Sequence, residues 1–564
     1  MTVSPTTAPT RRAPRRMSAF RLAAALMGVL MVTTGIIGTT TPAQAAGTVH
    51  APISGSGSTW SANALQQWIR NVWNNYQWKI TYSESGSTQG RNDFANGTAD
   101  FGVSEIPYAI QNSNEADSRP KRGFAYMPIV AGGTAFMYNL QIAGKRVTNL
   151  RLSGENLAKI FTNQIKVWND PAIQADNPLL ALPAIPIVPV VRSDGSGTSA
   201  QFSLWLRQEH PEIWDAYCGA VDRPLINGHC GVTSVWPTAP GSGFVSKSGA
   251  NGVAGYVAQS HAVGAITFVE YSYALNSGFP VAKMLNASGF YTEPTAGNVA
   301  VALLSARINE DPGSIDYLTQ DLSQVYGSPD ARTYPLSSYS YIILPTKEES
   351  GFTQDKGLTL ADFGAYFLCE GQQQAETLGY SPLPINLVTR GYEQVLKVPG
   401  GDPAVKDPVR DCNNPTFSPD GTNRVANETP YPPECDKQGP TQCLTGTGGA
   451  QGETPPSGDA AVAEQGSQAA GGEGFAGGGS GPGAGTNAPG QGAAADAATI
   501  VADAAPMLVS GTPQSIPVAA GGAVPALAMA GAGGALLAVA ALPPLLGRRG
   551  RRNLPVPATS EGAN

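Results

Sequence analysis

Charged side chains are scarce in this chain, at 14 % of 564 residues, and the balance is acidic, with 35 lysines and arginines against 42 aspartates and glutamates. No basic stripe occurs, which argues against nucleic acid as a partner. The four histidines, His50, His210, His229 and His261, are scattered, and no Cys-x-x-Cys occurs, so nothing marks a metal centre. A Gly-x-Ser-x-Gly elbow and a Walker motif are both missing, which removes the usual signatures of a serine hydrolase or a nucleotide hydrolase. No cysteine precedes Cys218, so an N-terminal lipid anchor on cysteine is excluded. Long apolar runs are confined to the two ends. A net charge of -7 does not exclude an anionic ligand, because local donors outweigh distant screened charges.

What the ends contain is legible. Arg11, Arg12, Arg15 and Arg16 precede an apolar stretch from Ala23 to Ile37, followed by Ala43-Gln44-Ala45. That order is a secretion signal over residues 1–45. A transmembrane helix is the rival, but threonines and glycine interrupt the stretch. At the other end, 446–514 is dominated by Gly, Ala, Ser, Gln and Pro and is expected to be a disordered, flexible linker. Residues 515–547 turn apolar and 548–564 carry Arg548, Arg549, Arg551 and Arg552, which reads as a membrane anchor with a basic cytoplasmic tail. A sortase-type signal is the rival there, without its Leu-Pro-x-Thr-Gly signature. The picture is an exported head on the outer side of the cell membrane, tethered by a stalk and one C-terminal transmembrane helix.

The six cysteines all lie downstream of this leader, and an even number in an exported chain points to disulfides. Proximity suggests Cys218–Cys230, Cys369–Cys412 and Cys435–Cys443, although sequence leaves other pairings open. Residues 401–445, rich in Pro, Asn and Asp, hold three of these cysteines and read as a pinned, loop-rich extension.

Between these segments, strand and helix patterns alternate. Strands are expected at Trp78 to Tyr82, Phe101 to Val103, Ile129 to Ala131, Phe136 to Tyr138, Ile185 to Val191, Ala265 to Val269 and Tyr341 to Leu344. Leu65, Trp68, Ile69, Val72 and Trp73 recur at helical spacing. This is an α/β pattern, expected to give a mainly parallel sheet, and its length calls for two lobes.

Three glycine-rich turns stand at strand-to-helix junctions. The fullest is Arg192-Ser193-Asp194-Gly195-Ser196-Gly197-Thr198-Ser199. Its backbone amides, the Ser196 and Thr198 hydroxyls and the Arg192 guanidinium all donate, with Asp194 placed to hold the arginine. Read alone, it is equally an ordinary capped helix. Gly55-Ser56-Gly57-Ser58-Thr59-Trp60 and Ser85-Gly86-Ser87-Thr88-Gln89-Gly90 repeat the logic, and three such turns together favour an oxyanion site. Glu105, at the end of the Phe101 strand, is a solvated loop acid by composition. In an oxyanion site it would instead accept a proton-bearing ligand oxygen. Phosphate offers such an oxygen near neutral pH and sulfate does not.

These stretches, with Asp100-Phe101-Gly102-Val103-Ser104-Glu105, Lys166-Val167-Trp168-Asn169-Asp170 and Gly264-Ala265-Ile266-Thr267-Phe268-Val269-Glu270-Tyr271, resemble the substrate-binding proteins of bacterial phosphate ABC importers in order and spacing. The resemblance implies a type II periplasmic-binding-protein fold over 47–400, with two α/β lobes joined by a two-strand hinge. One lobe is expected at about 47–138 and 270–400, the other at about 139–269. It implies a phosphate site of Thr59, Trp60, Ser87, Glu105, Arg192, Ser196, Gly197 and Thr198, with Asp194 orienting Arg192. The family's proton acceptor is usually aspartate and its aromatic after the threonine usually phenylalanine; here they are Glu105 and Trp60. It further implies a non-enzymatic, monomeric head without cofactor that captures inorganic phosphate and delivers it to an ABC permease. The rival is a membrane-anchored surface protein whose head is repurposed for sensing, adhesion or another oxyanion, without transport.

Overall fold

The computed structural model describes residues 50–453 apart from Asn114 and residues 116–118. The signal peptide at 1–45, the linker from 454 onward, the anchor at 515–547 and the tail at 548–564 lie outside the described residues. Among the described residues, no helix is long and apolar enough to cross a membrane.

Nine strands organise the site: β1 (Ile53–Gly57), β2 (Ile80–Ser83), β3 (Phe101–Ser104), β4 (Phe124–Tyr138), β5 (Val188–Arg192), β6 (Val245–Lys247), β7 (Ala265–Glu270), β8 (Val281–Leu285) and β9 (Ser337–Pro345). Eight run side by side in the order β6-β5-β7-β4-β9-β3-β1-β2, and β8 joins the end of β4. The sheet is mixed rather than mainly parallel. β1 is parallel to β2 and β3, and β5 is parallel to β6 and β7. β4 runs antiparallel to β9, β7 and β8.

β4 explains this departure. The sequence suggested two short strands, Ile129 to Ala131 and Phe136 to Tyr138, separated by Gly132-Gly133. They form one strand of 15 residues. Its first part pairs with β9 up to Gly133, and its last part pairs with β7 from Thr134 onward. The two glycines are there for close approach. A Cβ on Gly132 would lie 2.6 Å from Cη2 of Trp60, and one on Gly133 would lie 2.3 Å from Cβ of Pro294.

Helix α1 (Ala62–Tyr76) follows its periodicity, burying Leu65, Trp68 and Val72. It stops where Gln77 takes a left-handed φ of 60° and its N–H closes on the Trp73 carbonyl. Four more helices matter for the site: α2 (Ser87–Ala95), α3 (Gly197–Glu209), α4 (Gly249–Val257) and α5 (Tyr271–Ser277). Helices α2, α3 and α4 begin at glycine-containing turns that follow β2, β5 and β6.

All three disulfides form as proximity suggested: Cys218–Cys230, Cys369–Cys412 and Cys435–Cys443. The cysteine-rich extension is pinned to the fold by polar contacts. Thr416 Oγ1 donates to the Leu383 carbonyl at 2.7 Å, and Arg151 Nη1 donates to the Thr441 carbonyl at 2.8 Å. Lys283 pairs with Asp436 at 2.6 Å. Of residues 446–453, read from composition as the start of the linker, Gly446, Thr447, Gly448 and Ala450 are buried instead, while 451–453 are exposed. Thr447 is fully buried; its N–H donates to the Thr148 carbonyl at 2.9 Å, and its Oγ1 accepts the Val281 N–H at 3.1 Å. Gly446 and Gly448 to Gly449 were read as flexibility, but here small residues let the chain lie close against α5 and β8.

Candidate functional site

The three glycine turns meet. β1 delivers Ser58, Thr59 and Trp60; the β2–α2 junction delivers Ser87; β3 delivers Glu105; the β5–α3 junction delivers Arg192 to Thr198. Every residue expected to touch the ligand is buried, with Glu105 only 1 % exposed and Arg192 2 %, while Asp194 is half-buried.

On one side, Arg192 ends β5 and turns its guanidinium onto Asp194. Nε lies 2.8 Å from Oδ1, and Nη2 donates to Oδ2. This two-point bond fixes the plane of the guanidinium. Asp194 Oδ1 also accepts the Gly249 N–H at 2.9 Å. Burial pushes the Asp194 carboxyl up, but the Arg192 guanidinium and the Gly249 amide outweigh it and hold it below the usual carboxylate range. Ser196 is the N-cap of α3, its Oγ accepting the Ser199 N–H at 3.2 Å. The capped-helix reading of this turn is thus realised.

Facing it, Ser87 Oγ accepts the Gly197 N–H at 3.1 Å and donates to Glu105 Oε2 at 2.7 Å. A Cβ on Gly197 would lie 2.2 Å from Glu105 Oε2, so the carboxylate sits directly against this turn. Further bonds across the site include Thr88 N–H to the Gly195 carbonyl at 3.1 Å, Ala250 N–H to Thr59 Oγ1 at 3.1 Å and Gln201 Nε2 to the Glu105 carbonyl at 2.8 Å. The expected donors and the expected acceptor therefore share one place. Trp60 N–H, expected to serve a ligand, is donated to Ser58 Oγ at 2.9 Å.

Several contributors escaped the sequence reading. Three tyrosine hydroxyls anchor successive carbonyls of the first turn: Tyr82 donates to Ser58 O at 2.8 Å, Tyr273 to Thr59 O, and Tyr380 to Trp60 O at 2.7 Å. Their sequence separation from the turn hides them. The α4 N-terminus, Gly249 and Ala250, reaches both Asp194 and Thr59. Its Ser248-Gly249 start was the available signal. Ser58 and Ser340 donate to Glu105 Oε1, the second at 2.9 Å. Glu115 accepts from Ser234 Oγ at 2.6 Å beside an open cleft of about 830 Å³, which Thr88, Asp194 and Gly195 also line.

Among the described residues, no group of three or more His, Cys, Asp or Glu side chains could hold a metal ion. The chemistry available is that of an oxyanion receptor: an arginine, hydroxyls and amides around one buried carboxylate.

Comparison with known proteins gives the lineage. Residues 38–370 match the family model described as the PBP superfamily domain. A phosphate-binding protein PstS of Xylella fastidiosa is 33 % identical over 350 residues, 62 % of this chain and 86 % of that protein. The chain belongs to the periplasmic phosphate-binding protein family. Another member, PstS of Methanocaldococcus jannaschii, is 28 % identical over 346 residues, covering 60 % of this chain and 84 % of that one. PstS 2 of Mycobacterium tuberculosis is 29 % identical over 350 residues, with 60 % and 86 % covered. The family is one of substrate-binding proteins and not an enzyme class.

Proposed function

We propose that this chain is an exported receptor that captures inorganic phosphate and hands it to an ABC permease. Thr59, Ser87, Arg192, Ser196, Gly197 and Thr198 would donate to phosphate oxygens, with Asp194 holding Arg192, while the Trp60 N–H stays on Ser58 Oγ. Glu105 would accept the proton that phosphate keeps near neutral pH. The observation that carries this reading is the contact of Glu105 with Gly197 and Ser87, which sets a carboxylate inside a ring of donors. A buried carboxylate there repels a bare dianion and welcomes an oxyanion with an O–H.

Capture uses the two halves of the sheet as lobes, with β4 and β7 as the connecting strands. A ligand held by Thr59 and Ser87 from one side and by the Arg192 turn from the other favours the closed arrangement by its differential affinity. The C-terminal anchor and linker read from the sequence would keep the head near its permease by raising its effective concentration.

Equilibrium dialysis of the full chain against labelled phosphate tests the reading. It should retain one phosphate per chain at micromolar concentration, on the order of the affinities that import demands. No retention at millimolar phosphate contradicts it.

A further inference from the structure

We propose that Ser58 and Ser340 set the oxyanion selectivity of this site by fixing Oε1 of Glu105, so that Oε2 alone meets the ligand. The inference rests on the phosphate reading above and adds two residues that have no place in the donor ring.

Glu105 has almost no access to water, so its carboxylate depends on the hydrogen bonds the protein offers. Oε1 accepts from Ser58 Oγ and, at 2.9 Å, from Ser340 Oγ. Both serines are fully buried. The direction of the Ser58 bond is settled by its other partners. Its Oγ accepts the Trp60 N–H at 2.9 Å and lies 3.4 Å from the Ser61 amide, so its proton points to the carboxylate. Ser340 Oγ also lies 2.9 Å from Ser61 Oγ. Its single proton can serve Ser61 or Glu105, and the carboxylate, as the stronger acceptor, takes it.

The backbone supports this placement. Ser340 lies on β9, where the register with β4 shifts between Ser340 and Tyr341. Such irregularities re-aim a side chain out of regular alternation, commonly beside functional sites. Ser340 is far from Glu105 in sequence, so only the sheet brings them together.

Oε2 is treated differently. Its partner is Ser87, whose Oγ accepts the Gly197 N–H and donates to the carboxylate. An oxygen of monohydrogen phosphate does the same two things: it accepts from an amide and donates a proton to a carboxylate. On ligand binding the Ser87 hydroxyl turns to a phosphate oxygen, and the P–OH takes over the bond to Oε2. Sulfate has no proton to give, so it meets Oε2 as one negative charge meets another. Discrimination requires that the carboxylate cannot rotate away, and the Oε1 bonds prevent rotation. Without the Ser340 hydroxyl, phosphate loses a well-aimed acceptor and sulfate escapes part of the repulsion.

The test is calorimetric titration of the full chain and its Ser340→Ala, Ser340→Thr and Ser58→Ala variants with phosphate and with sulfate. The readout is the ratio of the two affinities, which a general loosening of the fold would leave alone because it weakens both ligands together. Ser340→Ala and Ser58→Ala should each lower the phosphate-to-sulfate ratio by roughly ten- to hundredfold, the range for losing one hydrogen bond to a charged group. Ser340→Thr, which keeps the hydroxyl, should stay within about threefold of the unaltered chain, well below that range. An unchanged ratio in Ser340→Ala, with phosphate still bound by the unaltered chain, overturns the positioning role alone. Failure of the unaltered chain to bind phosphate overturns the phosphate reading and this inference with it.

Discussion

Arg192 and Asp194 are locked together at two points, Nε to Oδ1 at 2.8 Å and Nη2 to Oδ2, with the Gly249 amide as a third contact on the carboxylate. The arrangement needs a planar fork, which lysine cannot offer. Arg192→Lys should therefore weaken phosphate binding by roughly tenfold to a hundredfold, measured by dialysis. The same pair predicts a pH effect. The folded carboxyl of Asp194 is held below its ordinary value. Its stabilising contribution is then complete above the unfolded carboxylate value of about 4 and is lost as pH falls through the folded one. Thermal melts from pH 6 down to pH 3 should show a shallower acid decline for Asp194→Asn than for the unaltered chain.

Gly197 leaves room for the carboxylate. A Cβ there would lie 2.2 Å from Glu105 Oε2 and 2.7 Å from Ser87 Oγ. With Oε1 of Glu105 held by Ser58 and Ser340, the carboxylate cannot swing away without breaking buried hydrogen bonds. Gly197→Ala should abolish phosphate binding and lower the melting temperature by several degrees, roughly a 1–3 kcal/mol change. Unchanged binding with an unchanged melting temperature would contradict the contact.

Glu270 stands at the end of β7, paired in register with Thr134 of β4, and is fully buried. Its Oε2 accepts the Ser272 N–H at 2.8 Å, while Oε1 has no hydrogen-bond partner. Burial pushes its carboxyl well above the usual range, against the donors of Ser272. With the folded value above the unfolded one, the unfolded chain loses its proton first, so this group lowers stability as pH rises above about 4.3. Glu270→Gln cannot ionise. Its melting temperature relative to the unaltered chain should be higher at pH 8 than at pH 4.5; a constant difference would contradict the assignment.

Thr447 tests where the fold stops. Thr447→Val keeps the shape but removes the hydroxyl that accepts the Val281 N–H. Leaving that buried amide unpaired should cost about 1–3 kcal/mol in urea unfolding. No change would return residues 446–453 to the linker.

Sequence pattern revealed the parts of this molecule that are local. The α1 stripe of Leu65, Trp68 and Val72 needs only helical spacing to be seen, and each glycine turn carries its own chemistry. Patterns that depend on distant partners were hidden. The stretch from Ile129 to Tyr138 read as two short strands because the reason for Gly132-Gly133, the approach of Trp60 and Pro294, lies elsewhere in the chain. Ser340 fell just outside the strand expected at Tyr341 to Leu344, and only the longer strand with its register shift places it on Glu105. Tyr273 and Tyr380 carry no local sign that they anchor the first turn. Low complexity misled in the other direction at Thr447, where small residues mark close packing as readily as freedom.

The central claim is that the Arg192 turn and Glu105 together form a site for an oxyanion that carries a proton. Titration of the full chain with phosphate at pH 7, in the presence and absence of excess sulfate, tests this most directly. The account predicts saturable binding of one phosphate that sulfate at millimolar concentration leaves unchanged, in line with discrimination of about 10⁴ or more. Displacement of phosphate by sulfate, or no binding at all, would contradict it.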